Sequence, residues 1–175
     1  MSPLDHVTDS RPSEEQLRRV VEQHAAAVYR VAITVVHDAA LADDVVQETM
    51  LKAWRHSPVP PHEPIPRAWL LKVARNTAIS LLRTRREDLH APATLPERPG
   101  GPETSRTVEN RAHLDALWEL MQHLNEDARI LIVLKEVDGL SYDEIASTLD
   151  LPLSTVKTRL YRARKSLKDA LKDWN

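Results

Sequence analysis

From about Ser13 to Arg86 the apolar residues return every three or four positions, the spacing that draws one stripe along an α-helix. Ser13, followed by Glu14, Glu15 and Gln16, fits a capping box at the start of a first helix. Asp38 marks a break, and a second helix is predicted from roughly Leu41 to His56, with Val45, Val46, Thr49, Met50 and Ala53 on its buried side. The run from Ser57 to Pro66 holds five prolines, which forbid a helix interior and make it a loop within a helical unit. A third helix is predicted from about Arg67 to Arg86, with Leu70, Leu71, Ala74, Ala78, Leu81 and Leu82 on its core face.

The pattern lapses between Glu87 and Thr107, where Pro92, Pro96, Pro99, Gly100, Gly101 and Pro102 accumulate, and this stretch reads as a linker. Periodicity resumes at Leu114, Leu117, Trp118, Met121 and Leu124 and continues through Ile130 to Val137. A short helix over Tyr142 to Leu149, a break at Asp150-Leu151-Pro152-Leu153 and a last helix capped by Ser154 have the layout of a helix-turn-helix. On that last helix Val156, Leu160, Ala163 and Leu167 share one narrow sector, the predicted buried stripe. The expected fold is therefore all-α: two small helical domains, residues 13–86 and 108–175, joined by a flexible linker at 87–107.

Composition supports packed helices. The chain has no Phe and only 3 Gly in 175 residues, so its core must come from Leu, Val, Ile and Ala. The absence of Cys excludes disulfides, cysteine-ligated metal sites and a thiol nucleophile. The N-terminal stretch is polar and no run approaches the ~18 apolar residues of a membrane span, so a soluble, cytoplasmic protein without membrane insertion is expected. The eight His are scattered, and no nucleophile-base pair, phosphate loop or metal cluster stands out. The reading is a non-enzyme with no catalytic residue, no metal and no cofactor.

Net charge is only −2, yet its distribution is uneven. Between Arg67 and Arg86 lie six basic residues and no acid; from Ser154 onward seven basic residues face only Asp169 and Asp173. On the third helix the polar face carries Lys72, Arg75, Asn76, Arg83 and Arg86 with Trp69, Ile79 and Ser80, without the acids that would form i,i+4 pairs. Cations with an amide and an aromatic suit a nucleic-acid backbone and an unstacked base. Trp69 fits either a stacking platform or plain core. On the last helix Thr158, Tyr161, Arg162 and Lys165 lie opposite the apolar stripe, Thr155 and Lys157 occupy the end that reaches bases, and Arg159 and Arg164 flank them, suited to phosphates. The bland alternative for this face is a solvated cationic helix. On the second helix Leu51 stands among Asp44, Gln47, Glu48 and Arg55, either as an ordinary exposed leucine or as a small protein-binding patch.

Three stretches then resemble one family, in order and spacing: Asp43-Asp44-Val45-Val46-Gln47-Glu48-Thr49 with Trp54; Trp69-Leu70-Leu71 with Ala74-Arg75-Asn76; and Gly139-Leu140-Ser141-Tyr142-Asp143-Glu144-Ile145-Ala146 with Thr155-Val156-Lys157-Thr158-Arg159-Leu160. They resemble the bacterial sigma-70 family, and the short two-domain length is similar to its extracytoplasmic function (ECF) group. The resemblance implies a transcription initiation factor with sigma region 2 over residues 13–86 and sigma region 4 over residues 108–175. It implies that Asp43, Asp44, Gln47, Glu48 and Leu51 dock on the clamp helices of the largest subunit of core RNA polymerase, with a further contact at the flap. Trp69, Lys72, Arg75, Asn76, Arg83 and Arg86 would engage the −10 element and hold an unpaired base; His62 in the proline loop is a further candidate DNA contact. Ser154, Thr155, Lys157, Thr158, Arg159, Tyr161, Arg162 and Lys165 would read the −35 element. Duplex and melted promoter DNA and an anti-sigma factor are the remaining implied partners. Two positions depart from the family pattern: Ser80 stands where an Asp is usual, and Ser154 where a Gly is usual.

Overall fold

Ser13 accepts a hydrogen bond from the Gln16 backbone N–H and starts α1, Glu14–Val36, a helix with Glu14 and Glu15 in its positive first turn. The capping box read from the sequence is not completed. The Gln16 side chain donates instead to the Glu63 carbonyl, tying the proline-bearing loop to the first helix. His37 ends α1 in the left-handed conformation, and Asp38 then caps α2, Ala39–Arg55, by accepting from the Leu41 N–H. α2 thus begins two residues before the predicted start. α3 spans Arg67–Leu89.

In this computed structural model the described residues are 13–60, 63–89, 119 and 121–173. Most of the expected linker, the periodic positions Leu114, Leu117 and Trp118, and His62 lie outside them, as does the side chain of Arg86.

The continuous periodicity expected through Val137 is interrupted. Asn125 caps a new helix, α4, Glu126–Ile132, by accepting from the Ala128 N–H. α4 passes directly into a π-helical segment, Val133–Val137, closed by the Asp138 N–H to the Val133 carbonyl. Gly139 follows with φ of 68°, a conformation that suits glycine, and the chain turns into α5, Tyr142–Leu149. α5 has the full capping box: Ser141 Oγ accepts from the Glu144 N–H, and the Glu144 carboxylate accepts from the Ser141 N–H. Asp150, left-handed at φ 53°, ends it.

The last helix, α6, spans Leu153–Asp173. The Val156 N–H bonds to the Pro152 carbonyl, and the Thr158 hydroxyl to the Ser154 carbonyl, so Ser154 lies inside the first turn. The expectation of Ser154 as N-cap is therefore two residues late. Pro152, which has no N–H to leave orphaned, stands at the boundary in its place.

The described fold is all-helical. α1, α2 and α3 pack on one another around Val28, Val31, Val45, Leu70, Leu71 and Ala74. α4, the π segment, α5 and α6 pack around Ile130, Leu134, Ile145, Val156 and Leu160. The buried residues of both groups belong to one continuous cluster, because α1 meets α4 and the π segment while α3 meets α5.

Candidate nucleic-acid interface

α6 is built as the second helix of a helix-turn-helix. Val156 and Leu160 are fully buried, Ala163 is nearly so and Leu167 is half-buried, which matches the predicted stripe. The opposite side is open: Ser154, Lys157, Thr158, Arg159, Tyr161, Arg162 and Lys165 are exposed, and Tyr161 is 70% exposed. A tyrosine left so far in water on an otherwise cationic face adds nothing to the core formed by the described residues. Thr155 is half-buried beside Val156.

Tyr142 was not singled out by the sequence. Its ring lies 4.9 Å from the Lys135 ammonium and 6.0 Å from that of Lys157, so one face of an α5 aromatic steadies a cation of the recognition helix. Arg164 is held by Glu136, with bonds of 2.8 and 2.6 Å from Nε and a terminal nitrogen to one carboxylate oxygen. Glu136 and then Tyr142 raise the pKa of that guanidinium above its ordinary value. The phosphate role suggested for Arg164 therefore competes with an internal partner.

On α3, Asn76 and Arg83 are exposed, Lys72 and Arg75 are half-buried, and Ser80 is exposed. Trp69 is partly buried and packs on the core, while its position on α3 leaves one edge accessible. The sequence shows no acid at i,i+4 spacing on this face, yet two of its cations find acids from the C-terminal group. Lys72 pairs with Asp150 at 2.6 Å, and Arg75 approaches Asp127 at 3.9 Å, with Arg159 of α6 on the same Asp127 at 3.1 Å. Arg75, Asp127 and Arg159 meet at a cleft of about 110 Å³ floored by Ile130, Leu131, Leu149 and Leu151. Arg83 makes a long pair, at 4.0 Å, with Glu87 one turn on.

The acidic face of α2 is presented outward. Asp43, Asp44, Gln47 and Leu51 are exposed, Leu51 at 45%, and Glu48 is half-buried with its carboxylate 3.8 Å from Lys52. Lys52 also donates to Thr77 of α3, which anchors the side of α2 facing away from the patch. No group of His, Cys, Asp and Glu able to hold a metal occurs among the described residues. Among them no helix is long and apolar enough to cross a membrane.

Comparison with known proteins gives this arrangement its family. The sigma-70 region 2 pattern matches residues 20–87, and the sigma-70 region 4 pattern matches residues 114–167. The ECF RNA polymerase sigma factor SigL of Mycobacterium tuberculosis is 37% identical over 160 residues, covering 90% of this chain and 89% of the relative. The chain belongs to the ECF sigma factors of the sigma-70 family. The RNA polymerase sigma-H factor of Pseudomonas aeruginosa is 32% identical over 162 residues, covering 87% of this sigma factor and 84% of its own length. Among solved structures, CnrH in complex with the cytosolic domain of CnrY aligns with a TM-score of 0.67 at 26% identity, over 92% of this chain and 90% of that one. The sigma factor RpoE of Bartonella quintana, in complex with the anti-sigma factor NepR, shares the fold with a TM-score of 0.73 at 24% identity, over 90% of this chain and 98% of that one. α1 to α3 of this sigma factor thus fall within the region 2 match apart from the start of α1 and the end of α3, and α4 to α6 within the region 4 match apart from the end of α6.

Proposed function

We propose that this sigma factor binds core RNA polymerase and directs promoter-specific initiation by engaging −10 and −35 elements, without chemistry of its own. The observation that carries the reading is the outward face of α6. Tyr161, Arg162 and Lys165 stand exposed on a helix whose other side buries Val156, Leu160 and Ala163, behind a proline turn. That is the geometry in which a second helix enters the major groove.

Three surfaces divide the work. The first, residues 13–86, carries the clamp-docking patch of Asp43, Asp44, Gln47, Glu48 and Leu51 and the −10 face of Trp69, Lys72, Arg75, Asn76, Arg83 and Arg86. The second domain, residues 108–175, reads the −35 element through α6 and meets the flap, and residues 87–107 join the two. Promoter melting follows from binding: an extruded base costs a few kcal/mol, which stacking and cationic contacts offset. As CnrH and RpoE are seen with CnrY and NepR, an anti-sigma partner is proposed here too, in the cytoplasm.

Run-off transcription with purified core polymerase on a library of genomic fragments tests this directly. Promoter-dependent transcripts that need the added chain are expected. Their absence, with core active alongside another sigma factor, overturns the reading.

A further inference from the structure

Asp138 has a fully buried side chain although it lies at the end of the π segment, on the C-terminal group. Its partners come from the other group. Arg30 of α1 donates to Asp138 Oδ1 through Nε at 3.1 Å and through a terminal nitrogen; Arg67 of α3 donates to the same Oδ1 at 3.0 Å and to the Asp138 carbonyl at 2.8 Å. Two guanidiniums converging on one anionic oxygen form an anion site, and the occupant is a residue 108 positions along the chain from Arg30.

The fit is incomplete. Among the described residues, Asp138 Oδ2, Arg67 Nε and Arg75 Nε are buried without hydrogen-bond partners. The planar carboxylate mismatches this cationic site: Oδ1 takes all three of its side-chain donors, while Oδ2 and Arg67 Nε go unused. A phosphodiester offers tetrahedrally arranged oxygens to donors of this kind. The same face of α3 repeats the pattern: Lys72 holds Asp150 and Arg75 approaches Asp127, while Thr148 of α5 donates to the Ala68 carbonyl at 3.3 Å. Every cation of α3 between Arg67 and Arg75 is thus met by an acid of the C-terminal group.

We propose that Arg30 and Arg67 form a phosphate-binding fork for promoter DNA, continuous with Lys72 and Arg75, and that Asp138, Asp150 and Asp127 occupy these cations in place of phosphates in the closed chain. The inference rests on the DNA-binding part of the function proposed above. DNA and the C-terminal group compete for one set of cations, so loosening either carboxylate contact exposes the site. Arg30 and Arg67 then join the DNA-contacting residues although neither lies in the −10 set read from the sequence.

The test uses the full chain and a fluorescein-labelled, mixed-sequence single-stranded DNA oligonucleotide, followed by anisotropy across a salt series. Because the chain has no cysteine, Glu22→Cys and Lys168→Cys give two specific dye sites for measuring closure in the same protein. Asp138→Asn is expected to tighten DNA binding about tenfold, the size of an ordinary coupling between sites, and to lengthen the dye distance. Asp150→Asn, which removes an exposed charge and keeps a residue tolerant of the left-handed backbone, is expected to act in the same direction by less. In the Asp138→Asn background, Arg30→Ala and Arg67→Ala are each expected to weaken binding and lower the salt slope by about 0.7, the value of one lost phosphate contact on a single strand. Unchanged affinity and dye distance in both Asn variants overturns the closure. A salt slope unmoved by both Arg variants overturns the fork. Run-off transcription separates this from the function above: transcripts that persist while these readouts fail sink the inference alone, whereas expected readouts without transcripts sink only the polymerase role.

Discussion

At the scale of single residues, the helix starts were the most legible features. Ser13 and Asp38 mark the boundaries at which caps are found, because a short side-chain acceptor before an apolar run has few other uses. The Ser141 and Glu144 capping box has the same spacing but was not read as a helix start. Gln16 was misread because its alternative partner, the Glu63 carbonyl, is 47 positions away and has no local signature. These caps and two histidines give the molecule a defined acid response. Burial, and then Arg67, lowers the pKa of His24; burial, and then Arg129, lowers that of His37. Each depressed histidine favours its neutral form in the folded state, so stability is lost as pH falls from the ordinary 6.5 through the lowered values. Backbone N–H donors lower the pKa of Asp38 and Glu144, and their contribution disappears at more acidic pH, as those carboxylates protonate. Thermal unfolding followed by circular dichroism is expected to show both steps, and His24→Gln should shrink the first without touching the second. A second residue-scale prediction concerns Leu51, whose exposure agrees with either reading of it. Leu51→Asp is expected to weaken core polymerase binding by about 2 kcal/mol or more, the size of an interface anchor, in a pull-down titration. Wild-type affinity would return Leu51 to an ordinary surface leucine.

Among the elements, helical periodicity located α1, α2, α3, α5 and α6 to within a few residues, since one apolar stripe per helix is enough to assign the period. It missed the start of α4. The break at Asn125 carries the signals of a helix start, with Glu126 and Asp127 behind it, but the apolar pattern runs across it without a gap. The buried stripe of α6 makes a stability prediction. Leu160→Ala, at a site with no exposed surface, is expected to cost about 2 to 5 kcal/mol by chemical denaturation, through lost burial and the cavity left behind. The opposite face makes a functional one. Arg162→Ala is expected to weaken holoenzyme binding at a −35-dependent promoter by about 1 to 3 kcal/mol in a gel shift, with association to core unchanged. α3 resisted a full reading because its face carries no acid at i,i+4 spacing, whereas counter-charges for Lys72 and Arg75 sit in the turn after α5 and on α4.

For the whole molecule, the all-helical class followed from composition and period, but the contact between the two groups did not. Lys72 and Asp150 are 78 positions apart, and no pattern along the chain ties them together. Their exposed pair and that of Arg75 with Asp127 lie where salt screens, while Asp138 is held out of water. Compactness measured by small-angle X-ray scattering is therefore expected to change little between about 0.1 M and about 1 M salt, because the contact that survives screening is the buried one. Asp138→Asn should make the radius of gyration larger and salt-dependent. A wild-type chain that expands steadily with salt would mean the exposed pairs hold the groups together.

The π-helical segment makes this arrangement depend on length as well as on composition. Its wide turn, closed from Asp138 back to Val133, takes one more residue per hydrogen-bonded ring than an α-helix does. Excising one residue between Val133 and Val137 would let the segment rewind as α-helix and swing Asp138 through roughly 100°, away from Arg30 and Arg67, with every charge intact. The hold between the two groups is thus tuned by chain length at one point, where a single deletion is expected to release Asp138 as fully as removing its charge does.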